Sequence, residues 1–247
     1  YMGNYDEALT NAKEVLKVHQ ELLDLKRFIS TDGGWDHIKD MEGNIFPSKG
    51  ENPEDIFYRM DATDLSADLC ASTELIDCYH RNLPENATDQ RLALFFFKDH
   101  AVTWKPMDFP GKYLWAAYHV QNVGFSVPEM MLIAAECEAR IGSVENAMAY
   151  INRLRDFRIM NNRQLSVENK DKALMIVLDE RRREMPFTGM TRYIDLKRLN
   201  LEKRFQKTIT HKADGQTWIL PPNDNRYILP IPPRVLEYNP EIPQYER

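Results

Sequence analysis

Cysteine is scarce in this sequence: Cys70, Cys78 and Cys137 are the only three in 247 residues, with no CxxC pair among them. That odd, scattered set excludes a disulfide framework and a cysteine-based metal site, and predicts three small buried side chains. Long apolar runs are missing too. None exceeds six residues, the length of Leu92 to Phe97 and of Ala173 to Leu178, against the roughly 18 that a membrane-spanning helix needs. Positive charge is in deficit, 32 Lys and Arg against 38 Asp and Glu for a net charge of −6, which argues against nucleic acid as a partner. Phosphate-cradling glycine loops, a GxSxG elbow and HExxH or HxH spacings among the six histidines are all absent, so no metal and no cofactor is expected. The opening Tyr1-Met2-Gly3-Asn4 carries neither a basic segment nor an apolar core, so no export signal is read in these residues.

Proline is absent from 1–46 and from 129–185, whereas seven of the 14 prolines crowd into Pro221 to Pro243. Helices belong in the gaps and irregular backbone at the end. In the first gap Ala8, Leu9, Ala12, Val15, Leu16, Leu22 and Leu23 recur on one helical face. Asp55-Ile56-Phe57-Tyr58 reads as a short strand, and a second helix is predicted over about Leu65 to Tyr79. From Glu129 to Arg158 the pattern predicts two antiparallel helices, the first opened by Pro128 and stopped by Gly142, the second capped by Ser143. A third helix is predicted from Ser166 to the Pro186 break, and a short fourth from Arg192 to about Leu199. The small residues Ala8, Ala12, Ala134, Ala135 and Ala147 allow the close crossings of tetratricopeptide-type hairpins. The expected fold is therefore mostly α: tetratricopeptide-like hairpins at about 1–29 and 126–160 within one domain over 1–247, long loops, a few short strands and a proline-rich extended C-terminus.

Glu54-Asp55-Ile56-Phe57, Glu74 to Tyr79, Asp89-Gln90-Arg91, and Pro128 to Glu136 continued by Asn152-Arg153-Leu154-Arg155 are segments that, in this order, resemble the C-terminal part of the SusD/RagB family of outer-membrane nutrient-binding lipoproteins. The strongest is Asp179-Glu180-Arg181-Arg182-Arg183-Glu184 with Phe187, Gly189, Arg192-Tyr193 and Asp195 to Arg198, and Tyr227 to Pro232 with Asn239-Pro240 and Gln244 resembles the family's closing signature. Val127-Pro128 replaces the usual lead-in to the first long helix, and Thr188 stands where the family usually has Glu. The resemblance implies an α-α superhelix that captures oligosaccharides, or less often peptides, without turnover. It also implies a SusC-like TonB-dependent transporter as partner and the extracellular face of the outer membrane as location, through a lipid anchor on an N-terminal segment not present in this chain. A helical-repeat adaptor for protein segments and a glycoside hydrolase are the competing readings.

Candidate ligand contacts are aromatic, because sugar rings present C–H faces that pack on aromatic rings while a nearby amide or carboxylate fixes the hydroxyls. Trp35, after Gly33-Gly34, suits a surface loop; Trp104, Tyr113 and Trp115, with Asp108, Gln121 and Asn122 near them, form a dense aromatic segment. Tyr113 to Tyr118 also fits a strand whose rings are buried in the core. Trp218 is expected to pack against the tail. In the run from Asp179 to Glu184 the spacing places opposite charges three and four residues apart on one helix, and with Arg192 and Asp195 this reads as bracing between elements, not catalysis.

Overall fold

The structure is a computed structural model that describes residues 1–31, 36–47, 50–59, 70–101, 107–116 and 122–246. The chain divides into two compact units, Gly3–Gly189 and a C-terminal unit of Met190–Arg247 with Tyr1–Met2. None of the described helices is long and apolar enough to cross a membrane.

The larger unit is built around α4 (Val127–Ile141), which opens on Pro128 and buries Met131, Leu132, Ala134, Ala135, Cys137 and Ala139. Three alanines on a buried surface let α1 (Tyr5–Val18), α5 (Val144–Asp156) and α6 (Lys170–Glu184) all pack against it. The α4–α5 hairpin turns at Gly142, and Ser143 Oγ accepts from the Asn146 N–H at 3.3 Å. Glu138 ties the turn together: its carboxylate accepts from the Ser143 N–H at 2.9 Å and from Lys13 Nζ of α1 at 2.6 Å. The Lys13 ammonium holds the Glu138 carboxyl below its usual range against the opposing effect of burial. The α4–α5 pair is the hairpin expected at about 126–160, whereas 1–29 holds one α-helix and a 3₁₀ turn instead of the expected hairpin.

Three boundaries differ from the sequence reading. The first helix stops at Val18, so Leu22 and Leu23 lie in extended backbone leading to a turn of 3₁₀ helix at Leu25–Arg27. The second helix, α2, covers Thr73–His80 and is capped by Ser72; 60–69 fall outside the described residues. The α6 helix begins after Asn169, not Ser166, because the Asn169 side chain accepts from the N–H groups of Asp171 and Lys172. Cysteine also departs from expectation: Cys78 and Cys137 are buried and Cys70 is exposed.

The second core is aromatic. The hairpin of β5 (Phe96–Ala101) and β6 (Met107–Trp115) pairs Phe96 with Trp115 and Phe97 with Leu114. It packs with β1 (Phe28–Ser30), β2 (Ile38–Asp40), α2 and α3 (Gln90–Phe95), burying Phe28, Ile38, Phe46, Leu75, Tyr79, Leu94, Phe96 and Trp115. The strand β3 (Asp55–Phe57) pairs antiparallel with β7 (Phe125–Ser126), just before α4. A two-residue pairing of β4 (Thr88–Asp89) with β8 (Ile159–Met160) closes this unit behind α5.

The C-terminal unit carries α7 (Thr191–Leu199) and the hairpin of β9 (Ile209–Ala213) with β10 (Gln216–Leu220). Asp214 and Gly215 turn that hairpin with φ of +49° and +73°, the left-handed pair that matches strand twist. Trp218 on β10 is 50% exposed, so the expected packing of this ring is not what the structure shows. Along the proline-rich end, α8 (Pro233–Tyr238) interrupts the extended chain. The Gln244 amide acts as a strand partner for Ile231, accepting from its N–H at 3.1 Å and donating to its C=O at 2.9 Å, which explains why a Gln closes a Pro-Ile-Pro segment that has few N–H groups of its own.

Candidate ligand-binding cleft

The Asp179 to Glu184 run faces inward. Arg91 of α3 donates to Asp89 at 2.6 Å and lies 2.7 Å from both Glu180 and Glu184. Arg155 approaches Glu180 at 3.4 Å, and Arg183 pairs with the same carboxylate. Arg158 closes the chain, reaching Glu54 at 2.6 Å and Glu184 at 2.8 Å. Four arginines thus meet four carboxylates in the interior, and the guanidinium of Arg183 also donates to the carbonyls of Cys78 and Arg81. At the periphery Asp179 pairs with Arg81 at 2.9 Å and Arg181 approaches Glu129 at 4.0 Å. Burial alone would raise every carboxyl in the lattice. Arg183, Arg91 and Arg155 instead hold Glu180 far below its usual range, and Arg158 and Arg91 lower Glu184. For Glu54 burial wins over Arg158, and its carboxyl is raised.

Above this lattice a cleft of about 110 Å³ opens, with Glu54, Arg158 and Glu184 in its wall. Aromatic Phe46, Phe95 and Trp115 line it together with the polar Asn52, Asp55, Asn122, Ser126 and Thr188. Asn122 is its organiser. Its Nδ2 donates to the Asp55 carboxylate at 2.8 Å and its Oδ1 accepts from the N–H groups of Arg59 and Gly124 at 2.9 and 2.7 Å. Burial raises the Asp55 carboxyl, with Asn122 opposing. Beside these residues, on the β3–β7 pair, Phe57 and Phe125 are 57% and 58% exposed with ring centroids 6.3 Å apart. Two neighbouring exposed rings next to an amide and a carboxylate make an amphipathic platform.

Gly124 makes that geometry possible. A Cβ there would sit 2.0 Å from the Phe57 carbonyl oxygen, so Gly124→Ala is expected to push β3 from β7, costing about 1–3 kcal/mol of stability. Thermal unfolding of the purified variant checks this; an unchanged midpoint would contradict it.

The sequence-derived candidates fare unequally. Trp35 and Trp104, like Gln121, lie outside the described residues. Trp115 is 4% exposed and packs against Phe96 at 5.1 Å, Phe187 at 5.3 Å and Phe95 at 5.9 Å, so most of its ring is core with one edge in the cleft wall. Tyr113 is half-buried against the same core with the Lys98 ammonium 5.8 Å from its ring, and Asp108 is exposed. Arg192 is half-buried, and Asp195 is buried and paired with Arg198 at 2.8 Å. The Phe57/Phe125 pair was not legible as a site: the two lie far apart in sequence, and only the pairing of β3 with β7 brings them together. Among the described residues no cluster of His, Cys, Asp or Glu is arranged to hold a metal ion.

Residues 127–246 match the model of the SusD family. The fold is similar to that of several solved structures. One is a SusD superfamily protein from Bacteroides thetaiotaomicron, 20% identical with a TM-score of 0.65 over 100% of this chain and 57% of that one. Another is a putative sugar binding protein from Bacteroides vulgatus, 22% identical with a TM-score of 0.62 over 98% of this chain and 55% of that one. A third is a SusD-like carbohydrate binding protein from the same species, 14% identical with a TM-score of 0.55 over 96% and 55%. The chain thus spans somewhat more than half the length of these proteins. No curated protein matches the sequence.

Proposed function

The chain belongs to the SusD family through its segment 127–246, and from that premise we propose that it binds nutrient glycans at the cell surface without altering them. The observation that carries this reading is the exposed Phe57/Phe125 pair beside Asn122 and Asp55. A sugar ring lies on the two Phe faces while a hydroxyl reaches the amide and carboxylate at the mouth of the cleft. The cleft itself, at about 110 Å³, is smaller than the roughly 300 Å³ of a typical enclosed ligand site, which suits a surface platform with a shallow anchor. The two carboxylates at its floor, Glu54 and Glu184, are both committed to Arg158, which favours capture over hydrolysis. In the same reading the bound glycan passes to a SusC-like TonB-dependent transporter, and a lipid attached upstream of residue 1 holds the protein at the outer face of the outer membrane. Trp35 and Trp104 are proposed as further ligand contacts.

Calorimetric titration of the purified chain against neutral and host-type oligosaccharides tests this. Saturable binding with no release of reducing sugar is expected, weakened by up to about tenfold in Phe57→Ala, since stacking of one ring contributes about 0.5–1.5 kcal/mol. Unchanged affinity in Phe57→Ala and Phe125→Ala would remove the platform, and product release would replace capture by hydrolysis.

A further inference from the structure

A second cavity, sharing no residue with the cleft, lies wholly within the C-terminal unit. It is open to solvent, with a volume of about 510 Å³, within the range of small-molecule sites, and its wall includes Tyr193, Lys197, Asn200, Asp224 and Tyr227. Acceptors on Asp224 and Asn200 are already occupied. The Asp224 carboxylate takes two guanidinium N–H groups of Arg226, both at 2.8 Å, and the Arg226 backbone N–H at 2.9 Å. Asn200 Oδ1 accepts from the Lys207 N–H at 2.9 Å, and the Asn200 carbonyl accepts from Gln206 and Asn223. Because Oδ1 faces a backbone donor, the orientation of the Asn200 amide is settled.

Two donors on the wall, by contrast, are unused among the described residues. Asn200 is 1% exposed and Tyr227 4%, yet Asn200 Nδ2 and Tyr227 Oη are enclosed without a hydrogen-bond partner among the described residues. Buried polar groups are normally satisfied, so two orphans on one cavity wall call for an explanation. Lys197 adds a charge: its ammonium stands 5.8 Å from the Tyr193 ring and meets no carboxylate among the described residues. The C-terminal end of α7 disfavours an anion here, and Lys197 on its last turn offsets that. Tyr193 supplies a ring face, 5.9 Å from that of Tyr227, whose carbonyl accepts its hydroxyl.

We propose that this cavity binds a small ring compound bearing a carboxylate, with the carboxylate at Lys197 and the orphan donors and the ring against Tyr193. The wall must part slightly to admit acceptor oxygens to Asn200 and Tyr227. A carboxylated sugar and an aromatic acid share this chemistry. Titration of the full chain with glucuronate, benzoate and glucose separates them. One or both carboxylates should bind at a single site, with glucose at least about tenfold weaker, and both Lys197→Met and Tyr227→Phe should cost about tenfold each. The first residue is exposed and the second substitution keeps the ring, so circular dichroism should find both variants folded. Glucuronate as the better ligand assigns a sugar acid, benzoate an aromatic acid. Equal binding of glucose, binding indifferent to both substitutions, or no binding by any of the three overturns the proposal. Phe57→Ala should leave this site intact, which keeps its outcome separate from that of the platform.

Discussion

Glu180→Gln is expected to lower the unfolding free energy by about 3–5 kcal/mol, the scale seen when one partner of a buried ion pair is removed. Glu180 is fully buried and faces Arg91 at 2.7 Å, Arg155 at 3.4 Å and Arg183. The amide keeps the shape but leaves four interior arginines with three carboxylates. The sign of the pH dependence follows. A carboxyl held below its unfolded value of about 4.5 contributes stability that is fully present above that pH and is lost as pH falls toward the folded value. Glu184 acts in the same direction. Glu54 opposes them, because a carboxyl raised by burial is protonated more readily in the folded protein and its protonation favours folding as pH falls. Denaturant unfolding at pH 7 and at pH 3.5 should therefore show a large deficit for the variant at pH 7 that narrows at pH 3.5. A deficit below about 1 kcal/mol at pH 7, or one independent of pH, would mean the arginines do not depend on this carboxylate.

How much of this was legible in the sequence varies with the range over which each feature is determined. The α4–α5 hairpin was readable because its signals are local: Pro128 at the start, Gly142 at the stop, Ser143 as cap and alanines at three-and-four spacing. The end of α1 at Val18 was not, since Leu22 and Leu23 continue the apolar period although the backbone has become extended. Asn169 outcompeted Ser166 as the α6 cap through two side-chain hydrogen bonds that spacing alone does not rank. The charged run on α6 could be assigned to bracing, but its partners could not: Arg91, Arg155, Arg158 and Glu54 arrive from three other places in the chain. The platform was the least legible part. Asn122 was singled out as a polar neighbour, but the rings it serves, Phe57 and Phe125, meet only through strand pairing.

Trp115→Ala is the second substitution expected to have a large effect, about 3–5 kcal/mol of lost stability, because it empties the volume of a large aromatic in a close-packed core. The ring contacts Phe95, Phe96 and Phe187, and the surrounding backbone is fixed by the β5–β6 register, so collapse around the void is limited. Trp115→Phe should cost much less. It removes Trp115 Nε1, a buried donor without a partner among the described residues, and so offsets part of the lost contact by relieving an unpaired polar group. The same pair of variants separates core from ligand contact, the two readings that the sequence leaves open for this residue. If Trp115 acts only through packing, the Phe variant, folded at assay temperature, binds glycan like the parent chain, and any loss in the Ala variant follows its unfolded fraction. If the edge of the indole in the cleft wall touches ligand, Trp115→Phe loses affinity while its unfolding midpoint stays near that of the parent. Measuring both quantities on one preparation decides between them, because packing and contact move the midpoint and the affinity in different proportions.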